Sequence, residues 1–170
     1  MLFRSPALCA GKSGIGEITR FDVTPYNTKI AGQVKDFNPH DFLPKKEARR
    51  VDRFIAYAMA ATRMALEDAG LVIDSTNENR IGAVTGCGLG GLTLLEKTCL
   101  TLDQKGPRRV SPFFIPLMIG NMVPGMISIH FGAKGPNLSL ATACAAGAHA
   151  VGDSFRMIQS GMADAMIKGG

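Results

Sequence analysis

The chain has no tryptophan, only 6% aromatic residues, three histidines and four cysteines in 170 residues, and each scarcity removes a class of function. With so few rings between its basic residues, and no helix-turn-helix, RRM or zinc pattern, it lacks the stacking platforms and motifs of nucleic-acid binders. Cys9, Cys87, Cys99 and Cys144 are scattered. No C-x-x-C pair and no histidine at ligand spacing accompanies them, so neither a zinc site nor a redox dithiol is indicated, and reduced thiols in the cytoplasm are expected. No metal and no cofactor is expected. Nor is there an uninterrupted apolar run of membrane-spanning length. The nearest, Val110 to Ile129, is broken by Pro112, Pro116, Gly120, Asn121, Pro124 and Gly125, which predicts a buried helix interrupted by turns. No charged-then-apolar leader opens the chain, so secretion is not indicated. Asn137-Leu138-Ser139 is a chance match to a glycosylation acceptor. No repeat, low-complexity tract or flexible linker is visible.

What is abundant is small and apolar. Hydrophobic residues make up 46% of the chain and glycine occurs 20 times, enough for one core whose elements approach closely. The net charge of +5 asks for an acidic partner without naming it.

Pro44 occupies a plausible first helical position, and Val51, Phe54, Ile55, Ala58, Ala61, Thr62 and Ala65 recur at helical spacing until Gly70. Ile81 to Thr85 predicts a buried strand, and Leu92 to Leu102 a helix. Leu138 to Ala143 predicts a second strand, followed by a helix with Ala148, Val151, Gly152, Phe155 and Ile158 on one face. Ala163 to Lys168 predicts a third strand. Strands alternating with helices imply a mostly parallel sheet covered on both faces. Residues 1–8 fit nothing downstream and are expected to be a non-native start. Gly169-Gly170 follows directly on a strand pattern, where truncation is expected.

Gly86-Cys87-Gly88-Leu89-Gly90-Gly91 satisfies G-x-G-x-x-G between a strand and a helix. It lacks the acidic residue that should end a second strand about 20 residues on, so a closely packed glycine turn is the preferred reading over a dinucleotide site. Thr142-Ala143-Cys144-Ala145-Ala146-Gly147 places a cysteine where a strand hands over to a helix of small residues. Backbone N–H groups at such a helix start favour a thiolate and an oxyanion on an attacked carbonyl. A buried cysteine packed as a small hydrophobe explains the spacing equally well. The histidines do not decide between these. His40 lies in a polar turn, His130 reads as a structural cap before Gly132, and His149, one turn into the helix, reads as satisfying a buried hydrogen bond, not as a base.

Taken in order, Gly11-Lys12-Ser13-Gly14-Ile15, Ile18-Thr19-Arg20-Phe21-Asp22, Gly86 to Gly91, Ser111-Pro112-Phe113-Phe114, Gly135-Pro136 and Ala141 to Gly147 resemble the elongating β-ketoacyl-acyl-carrier-protein synthases. The resemblance runs from Cys9 to Gly170. It implies the thiolase-like fold, a layered αβαβα sandwich of two related α/β halves. This chain would be the first half, residues 9–170, without its opening strand, its mixed and mostly parallel sheet flanked by helices.

On the same footing Cys144 takes an acyl chain from acyl carrier protein as a thioester. Malonyl-carrier protein then loses carbon dioxide, and its carbanion attacks that thioester, as in fatty acid biosynthesis. Two histidines and a second oxyanion N–H belong to the other half. Leu89 matches a position that gates the acyl pocket and Phe114 one that reaches the pocket of the homodimer partner, though either residue also suits ordinary core packing. Lys45, Lys46, Arg49, Arg50, Arg108 and Arg109 match positions facing the carrier protein, where the alternative is a solvated basic face. A type II polyketide ketosynthase is the nearest competing member. A non-catalytic chain-length partner would have replaced the cysteine, and a thiolase would use coenzyme A.

Overall fold

An aspartate decides where the longest helix begins. In the computed structural model, which describes residues 6–48 and 51–170, Asp52 has extended backbone angles and its carboxylate accepts from the Phe54 N–H. This side-chain acceptor takes one of the N–H groups that a helix start leaves without a partner. The single helix expected from Pro44 to Gly70 is therefore two. One is a single turn, Lys45–Ala48, whose last N–H groups reach the Pro44 carbonyl, and the other runs Arg53–Ala69. Gly70, at φ 61°, closes the second in the left-handed conformation that glycine adopts at little cost.

Two units are distinguishable, residues 1–38 and 39–170. The first holds a one-turn helix α1 (Pro6–Cys9) and a short antiparallel hairpin, β1 (Ile15–Glu17) with β2 (Ile30–Gly32), in register Gly16 to Ala31. Its connecting loop is tied locally. Asp22 accepts from the Thr24 N–H and hydroxyl, and those bonds lower the carboxyl pKa below its ordinary value.

The second unit carries α2 (Lys45–Ala48), α3 (Arg53–Ala69), β3 (Ile81–Gly86), α4 (Leu92–Lys105), α5 (Phe114–Met118), α6 (Met122–Phe131), β4 (Asn137–Leu140), α7 (Ala146–Gln159) and β5 (Ala165–Gly169). The three strands form one parallel sheet in the order β4-β3-β5. Every residue of the central strand β3 is buried, as a strand covered on both faces must be. From β3 the chain crosses to β4 in one direction, through α4 to α6. From β4 it crosses back past β3 to β5, through α7. Right-handed crossovers in opposite directions put α6 and α7 on opposite faces of the sheet. The stretch Val110 to Ile129 becomes α5 and most of α6, whose Val123, Pro124 and Ile127 are buried. No helix is long and apolar enough to cross a membrane among the described residues.

The inward face of α7 differs from the expected stripe. Ala146, Ala150 and Ser154, four residues apart, are buried, whereas Val151, Phe155 and Ile158 are exposed, Phe155 by 64%. The reason is contact distance. A Cβ on Gly86 would overlap the Ala146 carbonyl, and a Cβ on Gly147 would stand 3.4 Å from the Gly170 Cα, so only a face of small residues lets the helix lie this close to the sheet.

Candidate active site

Strand β4 stops at Leu140, earlier than the pattern to Ala143 suggested, and its last carbonyl accepts from the Cys87 N–H at 2.8 Å. The chain then tightens into a single 3-10 turn, Ala143–Ala145, before α7 begins. Cys144 sits on that turn and is exposed. Its neighbour Ala143 has φ 48°, a left-handed conformation that costs a residue bearing a Cβ roughly 1–2 kcal/mol. Packing holds it there. A Cβ on Gly88 would stand 3.1 Å from the Ala143 Cα, and Gly86 lies under Ala146, so the glycine turn after β3 forms the floor of the cysteine turn.

The same contacts decide the reading of the glycine motif. Gly86 and Gly88 abut the 143–147 segment, a Cβ on Gly90 would be 2.5 Å from the Met118 carbonyl oxygen, and a Cβ on Gly91 would be 2.7 Å from the Met118 Cα. Four of its glycines serve close backbone packing, and no open phosphate cradle is left. Leu89, between them, is 70% exposed.

Within the cysteine turn the Ala145 N–H donates to the Thr142 carbonyl at 3.0 Å and the Ala146 N–H to the Ala143 carbonyl. The Cys144 N–H meets no acceptor among the described residues. A thiol and an open N–H on one residue, at the start of a 14-residue helix, form the minimum set for acyl transfer: a nucleophile and a donor for the oxyanion. Cys87 is the rival thiol. It is half-buried and lines a groove of about 700 Å³ between α3, β3 and β5, together with Phe54, Tyr57, Leu66 and Met166, which does not include Cys144.

The histidines fall out as follows. His149 Nδ1 lies 3.2 Å from the Thr142 hydroxyl and its Nε2 3.4 Å from Asp153, but the buried hydrogen bond expected of it is not found: its side chain is 43% exposed, off the Ala146, Ala150 and Ser154 face that α7 buries. His130 stands 3.6 Å from Glu47, while the cap of α6 is Gly132, whose N–H donates to the Ser128 carbonyl. His40 belongs to a 3-10 turn, Pro39–Asp41.

Lys45 and Lys46 are exposed on α2, and Arg108 and Arg109 on a 3-10 turn, Pro107–Arg109. Arg49 and Arg50 lie outside the described residues. The structure adds Lys105, which lines a shallow depression with Thr101 and Arg109. Its place in the last turn of a helix, four residues before Arg109, was the available signal. Phe114 opens α5, half-buried between exposed Phe113 and Ile115.

Against known proteins, a family model described as the N-terminal domain of β-ketoacyl synthase matches residues 5–170. The 3-oxoacyl-[acyl-carrier-protein] synthase 2 of Synechocystis is 51% identical over 163 residues, 96% of this chain and 39% of that protein. The chain thus spans about two fifths of the length of such curated relatives. Among solved structures, a β-ketoacyl synthase from Burkholderia phymatum superposes with a TM-score of 0.75 over 92% of this chain and 39% of its own, at 24% identity. The AntDE:AntF complex, a type II PKS acyl-carrier protein with its ketosynthase, superposes at 0.71 over 76% of this chain and 38% of its own, at 26% identity. The fold is that of the thiolase-like ketosynthases.

Proposed function

This chain belongs to the β-ketoacyl synthase N-terminal domain family, and from that premise we propose that Cys144 is the acyl-accepting nucleophile of a 3-oxoacyl-acyl-carrier-protein synthase of fatty acid biosynthesis. The observation that carries the reading is the pairing of an exposed thiol with its own open N–H on a turn held rigid by glycine packing. The Cys144 sulfur, as thiolate, attacks the thioester carbonyl of acyl carrier protein. The carbonyl π electrons move to oxygen, and the Cys144 N–H donates to the resulting oxyanion. The intermediate collapses with cleavage of the carbon–sulfur bond to the carrier, whose thiolate leaves and takes up a proton. The acyl chain is then a thioester of Cys144.

Condensation with malonyl-carrier protein requires donors for the charge that decarboxylation builds on a malonyl oxygen. His149 has its Nδ1 on the Thr142 hydroxyl and its Nε2 toward Asp153, so on the resemblance the two family histidines outside this chain are assigned that part. Leu89, exposed two residues beyond Cys87, suits a gate over the acyl chain, and Phe114 suits a contact with the partner subunit of a homodimer. Lys45, Lys46, Arg108 and Arg109, all exposed, suit docking of an acidic carrier protein in the cytoplasm, where thiols stay reduced. Arg49 and Arg50 join this surface on the resemblance alone. The likeness to AntDE:AntF supports a second reading, a type II polyketide ketosynthase, at about half the sequence identity of the fatty-acid relative.

The test is to incubate the chain with octanoyl-acyl carrier protein and map the product by mass spectrometry. A hydroxylamine-sensitive octanoyl group on the Cys144 peptide, absent from Cys144→Ala, is expected. Acylation of Cys9, Cys87 or Cys99 instead, or of no cysteine, overturns the assignment.

A further inference from the structure

Threonine is a favoured helix N-cap because its side-chain oxygen accepts from the backbone N–H two or three residues ahead. Thr142 stands at that position before the 3-10 turn, and the N–H groups ahead of it belong to Cys144 and Ala145. Its hydroxyl accepts from neither. The oxygen lies instead 3.2 Å from His149 Nδ1, one turn into α7, and His149 Nε2 lies 3.4 Å from Asp153 one turn further on. The threonine oxygen and the ring thus share a hydrogen bond across the start of α7, with Asp153 beside the far edge of the ring. A threonine oxygen occupies one of three staggered positions about χ1, so an oxygen held toward the His149 ring is withdrawn from the Cys144 N–H.

We propose that His149 is a positioning residue that holds the Thr142 hydroxyl away from the Cys144 N–H and so leaves that donor open for the acyl oxyanion. This rests on the acyl-transfer reading of Cys144. It also explains a histidine five residues from a nucleophilic cysteine that is not its base: its Nδ1 is taken by the Thr142 hydroxyl and its Nε2 lies toward Asp153. Without the ring, the Thr142 oxygen is free to turn toward the Cys144 N–H and compete with the substrate for it.

The experiment separates the oxyanion from the thiol. Alkylation of Cys144 by iodoacetamide displaces iodide and builds no oxyanion, whereas acylation by a small octanoyl thioester does. In the 170-residue chain, His149→Ala slows acylation about tenfold, the weight of one competing hydrogen bond, and leaves alkylation unchanged. Adding Thr142→Val to His149→Ala removes the competing oxygen at constant side-chain shape and restores most of the acylation rate. Acylation of His149→Ala at the wild-type rate overturns the proposal. So does a double variant as slow as His149→Ala, or a parallel loss of alkylation and acylation, which would mark His149 as a prop for the fold. A wild-type chain that alkylates at Cys144 and accepts no acyl group overturns the acyl-transfer reading itself.

Discussion

A single methyl group at position 86 tests whether the cysteine turn rests on the glycine turn. In Gly86→Ala the new Cβ would overlap the Ala146 carbonyl and lie 2.6 Å from the Gly147 nitrogen. All of these are backbone atoms, so no side chain can rotate out of the way and either β3 or the start of α7 must shift. Overpacking costs about 1–3 kcal/mol where side chains yield, so about 3 kcal/mol is the minimum expected here. With a urea m-value of about 2 kcal/mol/M, the unfolding midpoint falls by about 1.5 M. Gly125→Ala is the control. That glycine lies in α6 with no heavy atom within 4 Å of a built Cβ, and its φ is not positive. There the substitution only removes backbone freedom from the unfolded chain, and the midpoint rises by about 0.3–0.5 M for a gain of about 0.5–1 kcal/mol. Urea titrations of the three proteins, followed by far-UV circular dichroism, decide the matter. A Gly86→Ala midpoint within about 0.3 M of wild type, or an equal fall in Gly125→Ala, would refute the close-packing argument.

Reversing the charge of Lys45, Lys46, Arg108 and Arg109 should raise the carrier-protein KM for loading at low ionic strength, leave the rate with small acyl thioesters unchanged, and lose most of its effect at high salt. An unchanged KM at low salt would return these residues to a solvated face. Arg80 Nη2 bonds Asp164 at 2.6 Å and holds its carboxyl below the ordinary value of 3.8. A depressed folded-state value stabilises the fold above pH 3.8 and loses that stabilisation as pH falls through the folded-state pKa. Asp164→Asn should therefore lie below wild type in urea midpoint near neutrality and converge with it in acid. A constant gap across that range would show that the ion pair contributes nothing. The glycine turn should bind no NAD(H) in a fluorescence titration, since the backbone of Ala143 and Met118 fills the space beside it. Saturable binding would reopen the dinucleotide reading.

Much of the frame was legible from periodicity and punctuation. The pattern ending at Gly70 belongs to α3, the apolar run from Ile81 to β3, and the cysteine of the Ala141 to Gly147 segment to a strand-to-helix turn. What was not legible has physical causes. Asp52 resets the helix start because one side-chain acceptor outweighs a continuous apolar stripe across 51–65. The inward face of α7 escaped notice because alanine and serine carry little hydropathy, while Val151 and Phe155 advertise the opposite face. The left-handed Ala143 has no signature, since alanine has no preference for that conformation and nothing in the local sequence marks the close approach of Gly88. The joining of Thr142, His149 and Asp153 follows from helical spacing once the turn is known, and spacing alone could not say which way the threonine points.

The meeting of Gly86, Gly147 and Gly170 has a consequence for motion. Exposed side chains change rotamer in picoseconds to nanoseconds, and a contact made through them inherits that movement. Here the touching surfaces are peptide planes and α-carbons, which have no rotamers to exchange. The Cys144 backbone can then move against the sheet only if a strand or the whole of α7 moves with it, on the slower clock of local unfolding. Jitter at the attacking atom is thereby confined to the one free torsion of the thiol, and the amides of Ala146 and Gly147 should exchange with deuterium on the timescale of β3, not of a loop.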